Sequence, residues 1–202
     1  CGIDCGIACD NYNRTGYISW RYLIVMDSID WFIEKLYKNK NNNEAIIYKD
    51  TGYTYDWLID EVDKWYKIIK EEKITSGHIV SIEADYSHNS IALFIALIRN
   101  NNIVVPLSSM TEQEKNEFIE IAEIEYIIRF CDDEQYEIIR LNRSEIKNTM
   151  LRAFREEKKG GLILFSSGST GKSKAILHDL SKLIKKFAIK SHKPLRTITF
   201  LY

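Results

Sequence analysis

The chain has 202 residues, 45 % of them hydrophobic, and a formal net charge of −1 from 28 basic and 29 acidic side chains. That balance is ordinary for a globular chain and excludes a dedicated nucleic-acid binder, whose domain would be strongly basic. No apolar run approaches the roughly 18 residues that a bilayer-spanning helix needs; residues 18–25 are too few and include Arg21. No signal peptide is evident, so the expected location is cytoplasmic.

The chain opens on Cys1, and Met26 precedes Asp27-Ser28-Ile29-Asp30, a helix entry with Ser28 as cap. Residues 1–25 are therefore expected to be an upstream or non-native segment. Residues 26–202 are expected to be the domain itself, truncated at its C-terminal end, because residues 197–202 read as a strand in mid-course. Cys1, Cys5 and Cys9 share a C-x3-C-x3-C spacing. No fourth ligand lies near them, and Gly2 and Gly6 weaken a helix there, so no metal site is expected.

A helix is predicted over 28–38, then a solvated Asn/Lys loop over 39–43. A strand over 45–49 and a turn over 50–52 follow. The next helix spans 55–72, with Thr54 as N-cap and Leu58, Val62, Trp65 and Ile69 as its apolar stripe. A strand over 79–83 leads to a helix over 90–99 that is apolar nearly all round and so buried. Asn100-Asn101-Asn102 precedes the next strand, 103–107; asparagine tolerates the left-handed region best after glycine. Thr111 and Glu114 form a capping box for a helix that runs to about 123. Strands over 125–130 and 137–141 flank Asp132-Asp133-Glu134, a solvated hairpin turn rather than a carboxylate metal site. Cys131 reads as a buried or strand-end thiol. A helix over 145–158 ends at Gly160-Gly161. Alternation of this kind predicts an α/β fold with parallel pairing.

Residues 162–178, LILFSSGSTGKSKAILH, carry the chemistry. A short apolar run feeds into a loop of glycines, hydroxyls and lysines. Glycine lets backbone N–H groups approach an anion without a Cβ in the way. Hydroxyls add neutral donors, and lysine adds a mobile cation. A plain solvent loop explains the small residues but not the two lysines after Gly171. The P-loop pattern G-x-x-x-x-G-K-S/T is met at Gly171-Lys172-Ser173, but its first glycine falls on Ser166. A P-loop also runs straight into a helix. Here Ala175-Ile176-Leu177 reads as a strand, and Asp179 reads as the cap of a helix from about Leu180.

The stretch resembles the phosphate-binding motif of adenylate-forming enzymes, the superfamily of acyl-CoA synthetases, luciferases and peptide-synthetase adenylation domains. That motif reads aromatic-Thr-Ser-Gly-Ser/Thr-Thr-Gly-x-Pro-Lys-Gly-Val, with a histidine a few residues on. Phe165, Ser167, Gly168, Ser169, Thr170, Gly171, Lys174 and His178 match it position by position. Ser166 keeps the hydroxyl of the usual threonine; Ser173 replaces proline and Ala175 replaces glycine. Tyr53-Thr54-Tyr55-Asp56-Trp57-Leu58 is similar to the family's T-Y-x-E-L. Residues 79–107 are similar to its β–α–β unit that ends in V-P-L, and the three asparagines stand where the family has glycine. The resemblance covers residues 44–202.

It implies part of the N-terminal large domain of an adenylate-forming enzyme, with layered sheets and flanking helices. It implies ATP and Mg2+ as cofactors and a small carboxylic acid as substrate, activated as an acyl-adenylate. The acceptor would be the thiol of CoA or phosphopantetheine, the latter on an acyl or peptidyl carrier protein. Ser166, Ser167, Gly168, Ser169, Thr170, Gly171 and Lys174 are implied as the ATP-phosphate site, with Lys174 catalytic. Lys172 is implied to face solvent, and His178 reads as structural. The adenine, Mg2+ and acyl-pocket residues would lie beyond Tyr202, so the 202-residue chain alone is expected to be inactive. Fatty, aryl and amino acids stay open as substrates, with a lean toward acyl or aryl acids from the proline-free loop. The other readings are a P-loop NTPase and a non-catalytic nucleotide-binding module.

Overall fold

A computed structural model describes residues 28–40, 42–108, 111–131, 135–167 and 173–189. Residues 1–25, the cysteines among them, and the strand expected over 197–202 lie outside these.

The described elements are α1 (Ser28–Lys38), β1 (Glu44–Tyr48), β2 (Thr51–Thr54), α2 (Tyr55–Glu71), β3 (Ile79–Glu83), α3 (His88–Arg99), β4 (Ile103–Leu107), α4 (Glu112–Ile121), β5 (Tyr126–Phe130), β6 (Tyr136–Arg140), α5 (Thr149–Glu156), β7 (Gly161–Ser167), β8 (Ser173–Asp179) and α6 (Leu180–Ile189). Six strands form one sheet in the order β6-β5-β3-β4-β7-β8. The inner four run parallel, as predicted. The two edge strands run antiparallel to their neighbours, so the sheet is mixed. Strands β1 and β2 form a separate hairpin.

Side chains along the inner strands are buried nearly throughout and alternate between two faces, which sorts the core into two layers. Val80, Ile82, Val104 and Ile128 face α2 and α3, where Leu58, Val62, Trp65, Leu93 and Leu97 meet them. Ile79, Ile103, Val105, Leu107 and Ile127 face the other way, toward Phe118 and Ile119 of α4 and Leu151 of α5. Helices α1 and α6 cover β7 through Ile29, Leu180, Leu183 and Leu162. Continuous apolar runs such as IVSIE and IVVPL are what strands covered on both faces require.

Local signals explain most boundaries. The Thr54 side chain accepts from Trp57 N, and Thr111 with Glu114 forms the predicted capping box. Asn101 has φ 56°, so it takes the left-handed position that glycine usually holds. Its N–H meets Ile98 O at 2.9 Å and the N–H of Asn102 meets Leu97 O at 3.0 Å, which closes the end of α3.

Three expectations are corrected. Of the turn expected over 50–52 only Asp50 turns, and Thr51 and Gly52 already belong to strand β2. The reversal is at Lys49 and Asp50, both at positive φ as a tight hairpin demands. The helix expected over 145–158 begins only at Thr149. Before it, the N–H groups of Lys147 and Asn148 bond the Glu123 carboxylate at 2.7 and 3.0 Å, and Asn148 then caps the helix. Ser28 is the first residue of α1, but its hydroxyl donates to Ser181 O at 2.6 Å and so ties α1 to α6. Cys131 directly follows β5, in keeping with its strand-end reading, and its thiol is free and exposed.

Helices α1, α2 and α3 share one polar staple. Tyr37 Oη donates to Asp63 Oδ1 at 2.5 Å, and Arg99 reaches Asp63 at 2.6 Å and Tyr37 Oη at 2.8 Å. The Arg99 guanidinium also lies 4.2 Å from the Tyr66 ring centre. Burial disfavours the Asp63 charge, but the hydrogen bonds from Tyr37 and Arg99 and the Arg99 charge outweigh it and hold the carboxyl below the usual range. A depressed carboxylate stabilises the fold above its unfolded pKa and loses that effect as pH falls through its folded one. Asp63→Asn should therefore melt lower than the parent at pH 7. The gap should shrink below the ordinary aspartate pKa of about 3.9 and close once the folded Asp63 is itself protonated. Melting midpoints of both proteins across a pH series check this.

Candidate functional site

The candidate loop sits on the β7–β8 hairpin. Gly161 starts β7 where the strand passes close to β4. A Cβ there would meet Leu177 Cδ1 at 3.0 Å and Ile103 Cγ2 at 3.3 Å, so glycine lets the strand dock without those side chains giving way by a few tenths of an ångström. Beyond it, Ile163 and Phe165 point into the α4 side of the core. Leu164 and Ile176, directly opposite each other, point out and are 42 % and 47 % exposed. All seven residues of β7 pair with β8, from Gly161↔Asp179 to Ser167↔Ser173.

This register brings together two of the predicted site residues. Ser166 and Lys174 are cross-strand partners, and both are exposed. Opposed residues of this kind hold their Cβ atoms about 4.5–5.5 Å apart. Ser167 closes the ladder opposite Ser173. Gly168, Ser169, Thr170 and Gly171, with Lys172, lie outside the described residues. His178 stands in β8 opposite Leu162 and is half-buried, as its structural reading requires.

The hairpin also bears on the type of loop. Residues 175–177 are extended, as predicted, and belong to a strand that runs from Ser173 to Asp179. The helix begins at Leu180, and Lys182 N bonds Asp179 Oδ1 at 3.1 Å in the predicted N-cap. Gly171-Lys172-Ser173 thus leads into a strand, whereas a P-loop leads into a helix whose N-terminus faces the phosphates.

One charged group at the same end of the sheet was not singled out from the sequence. Glu83, the last residue of β3, is buried. Its Oε2 lies 2.6 Å from Arg129 Nε and 3.4 Å from Lys115 Nζ, and its Oε1 has no hydrogen-bond partner among the described residues. A hydrogen bond to Glu83 holds the Arg129 guanidinium above its ordinary pKa. Glu83 reads as one more polar residue in an apolar strand, and nothing local marks it. Among the described residues no three His, Cys, Asp or Glu side chains converge as metal ligands, and no helix is long and apolar enough to cross a membrane.

No family model matches the chain. In sequence it is 21 % identical, over 193 residues, to bacitracin synthase 1 of Bacillus licheniformis; the match takes in 86 % of this chain and 3 % of that protein. In structure it matches the N-terminal subdomain of NpsA from Klebsiella oxytoca, solved in complex with 3-hydroxyanthranilyl-AMSN. The TM-score is 0.54 and the identity 20 %, over 76 % of this chain and 39 % of that one. The fold is that of an adenylation N-terminal subdomain. The N-terminal domain of FACL13 from Mycobacterium tuberculosis, an inhibitor-bound structure, matches with a TM-score of 0.57 at 14 % identity, over 76 % of this chain and 44 % of that one. The chain therefore spans less than half of the adenylation subdomains that it resembles.

Within this adenylation-type fold the Asp179 cap fixes where β8 ends and α6 begins. Asp179→Ala should lower stability by about 0.5–2 kcal/mol and leave the strand pairing intact. Urea unfolding, together with the far-ultraviolet spectrum, measures both.

Proposed function

We propose that the chain is the part of an adenylate-forming enzyme that carries its phosphate-binding loop. In that reaction a carboxylate oxygen attacks the α-phosphorus of ATP. A new carboxyl–phosphorus bond forms, the bond to the bridging oxygen breaks, and pyrophosphate leaves with the electron pair. The thiol of CoA or of a carrier-bound pantetheine then attacks the acyl carbon and releases AMP. The observation that carries this reading is the placement of the motif: a Ser/Gly/Thr/Lys loop that joins two antiparallel strands on a sheet shared with solved adenylation subdomains. NpsA, at 20 % identity, was solved with an acyl-adenylate analogue, which supports ATP as the nucleotide.

The roles follow from charge. Negative charge gathers on the departing pyrophosphate, so donors aimed there stabilise the transition state more than the ground state. Ser166, Ser167, Ser169 and Thr170 would supply hydroxyls, and Gly168 and Gly171 backbone N–H groups. Lys174, across the ladder from Ser166, would supply the cation. Mg2+ would enter with ATP and share the neutralisation. No protein ligand to it is assigned among the described residues, and no step here runs through it. The acid, whether fatty, aryl or amino, and the carrier protein would be met by the rest of the enzyme.

The two lysines separate this reading from a P-loop NTPase. In the complete protein that contains this chain, Lys174→Ala should slow carboxylate-dependent ATP–pyrophosphate exchange more than it weakens ATP binding. Charge-assisted contacts of this type are worth about 1.5–3 kcal/mol, or roughly ten- to more than a hundredfold in rate. Lys172→Ala should change the rate by less than about threefold, because a solvated lysine loses little on truncation. A larger loss at Lys172 than at Lys174 would sink the adenylation reading of the loop. Nucleotide binding with no exchange activity in the complete parent protein would favour the non-catalytic module instead.

A further inference from the structure

The odd-numbered residues of β4 turn their backbone groups toward β3. Ile103 N donates to His78 O at 3.0 Å, and Leu107 O accepts from Ala84 N at 3.2 Å. The even-numbered residues therefore face β7. After Val104 the next of these is Pro106, which has no N–H to give. The β4–β7 ladder accordingly pairs only Ile103 with Gly161 and Val104 with Leu162, although β7 runs on to Ser167. Among the described residues the only ladder partner of β7 beyond Leu162 is β8, and β8 is the edge of their sheet.

The outer half of the hairpin is thus a lever whose fulcrum is at Leu162. One face of it, with Leu164 and Ile176, is open. On the other face Phe165 lies flat on Phe118 of α4, with ring centres 3.8 Å apart and planes at 6°. Helix α4 is itself pinned one turn earlier, where Lys115 meets the buried Glu83. We infer that Phe118 is a positioning residue for the candidate phosphate loop. Its stack on Phe165 sets the angle of the lever, and so the direction in which Ser166 and Lys174 present their donors. This inference rests on the phosphate-binding reading of the loop.

The test uses the 202-residue chain, inorganic triphosphate as the probe, and two amide measurements. Titration followed by amide shifts gives the affinity; hydrogen exchange reports the lever without any ligand. Phe118→Ala should weaken triphosphate binding about three- to tenfold, the range expected for a stacked aromatic pair, while Phe118→Tyr should stay within about twofold of the parent. In Phe118→Ala the amides of Leu164 and Ile176, which face each other across the outer part of the β7–β8 ladder, should exchange faster, and those of Leu162 and His178 should not. If the alanine variant does not fold, Phe118→Leu, which keeps the apolar bulk and loses the ring, is measured in its place. Unchanged affinity in the variant, or a uniform rise in exchange over the whole sheet, would overturn the inference and leave Phe118 as ordinary core. A parent chain that binds no triphosphate would instead overturn the phosphate reading and with it the role of Phe118 toward phosphate. The exchange pattern would then still report whether the stack holds the lever.

Discussion

The contact of β7 with β4 decides where the β7–β8 hairpin comes to rest. Three parallel strands, β5, β3 and β4, and the helices on both faces make a frame, and among the described residues the ladder that joins β7 to β4 pairs only Gly161 and Leu162. Glycine at 161 permits the approach, because any Cβ there would press on Leu177 and Ile103. Proline at 106 ends it, because the next backbone donor toward β7 is missing. A proline inside a central strand is ordinarily a contradiction, since prolines in sheets keep to edges and bulges. Here the flank of β4 that faces β7 becomes an edge at Pro106, and the contradiction goes away.

That arrangement separates what holds the fold together from what presents the loop. The core on the α2–α3 side is closed around Trp65, Leu93 and Ile128 and contributes nothing to the hairpin. The core on the α4–α5 side reaches it through Phe165 and Leu177. Charge follows the same division. The Tyr37–Asp63–Arg99 staple ties three helices at some distance in sequence from the loop. The Glu83–Arg129–Lys115 group lies at the C-terminal end of the parallel strands, the end from which β7 also carries its loop.

Much of this was legible in the sequence, for physical reasons that differ by element. Strands covered on both faces announce themselves as unbroken apolar runs, so Ile79–Glu83 and Ile103–Leu107 were readable to the residue. Caps are local chemistry, so Thr54, Thr111 and Asp179 were readable too. A left-handed position within Asn100-Asn101-Asn102 was readable because asparagine tolerates it best after glycine, and Asn101 is the one that takes it. Tertiary partners were not. Nothing near residue 145 tells that Glu123 will take the N–H groups of Lys147 and Asn148 and delay α5 to Thr149. Nothing near Tyr48 tells that the hairpin turns at Lys49-Asp50 rather than at Gly52. In the candidate site the hydroxyls and lysines were legible as a motif. The Ser166–Lys174 pairing and the Phe118–Phe165 stack were not, because both depend on register between segments that only the fold brings together.

On the proposed function the loop serves attack at the α-phosphorus of ATP. Phosphorus NMR of the products formed by the complete protein, with ATP, a panel of fatty, aryl and amino acids, and a thiol acceptor, tests it most directly. The account predicts AMP and pyrophosphate in equal amounts, formed only when a suitable acid is present. ADP and inorganic phosphate, formed at the same rate without any acid, would contradict it.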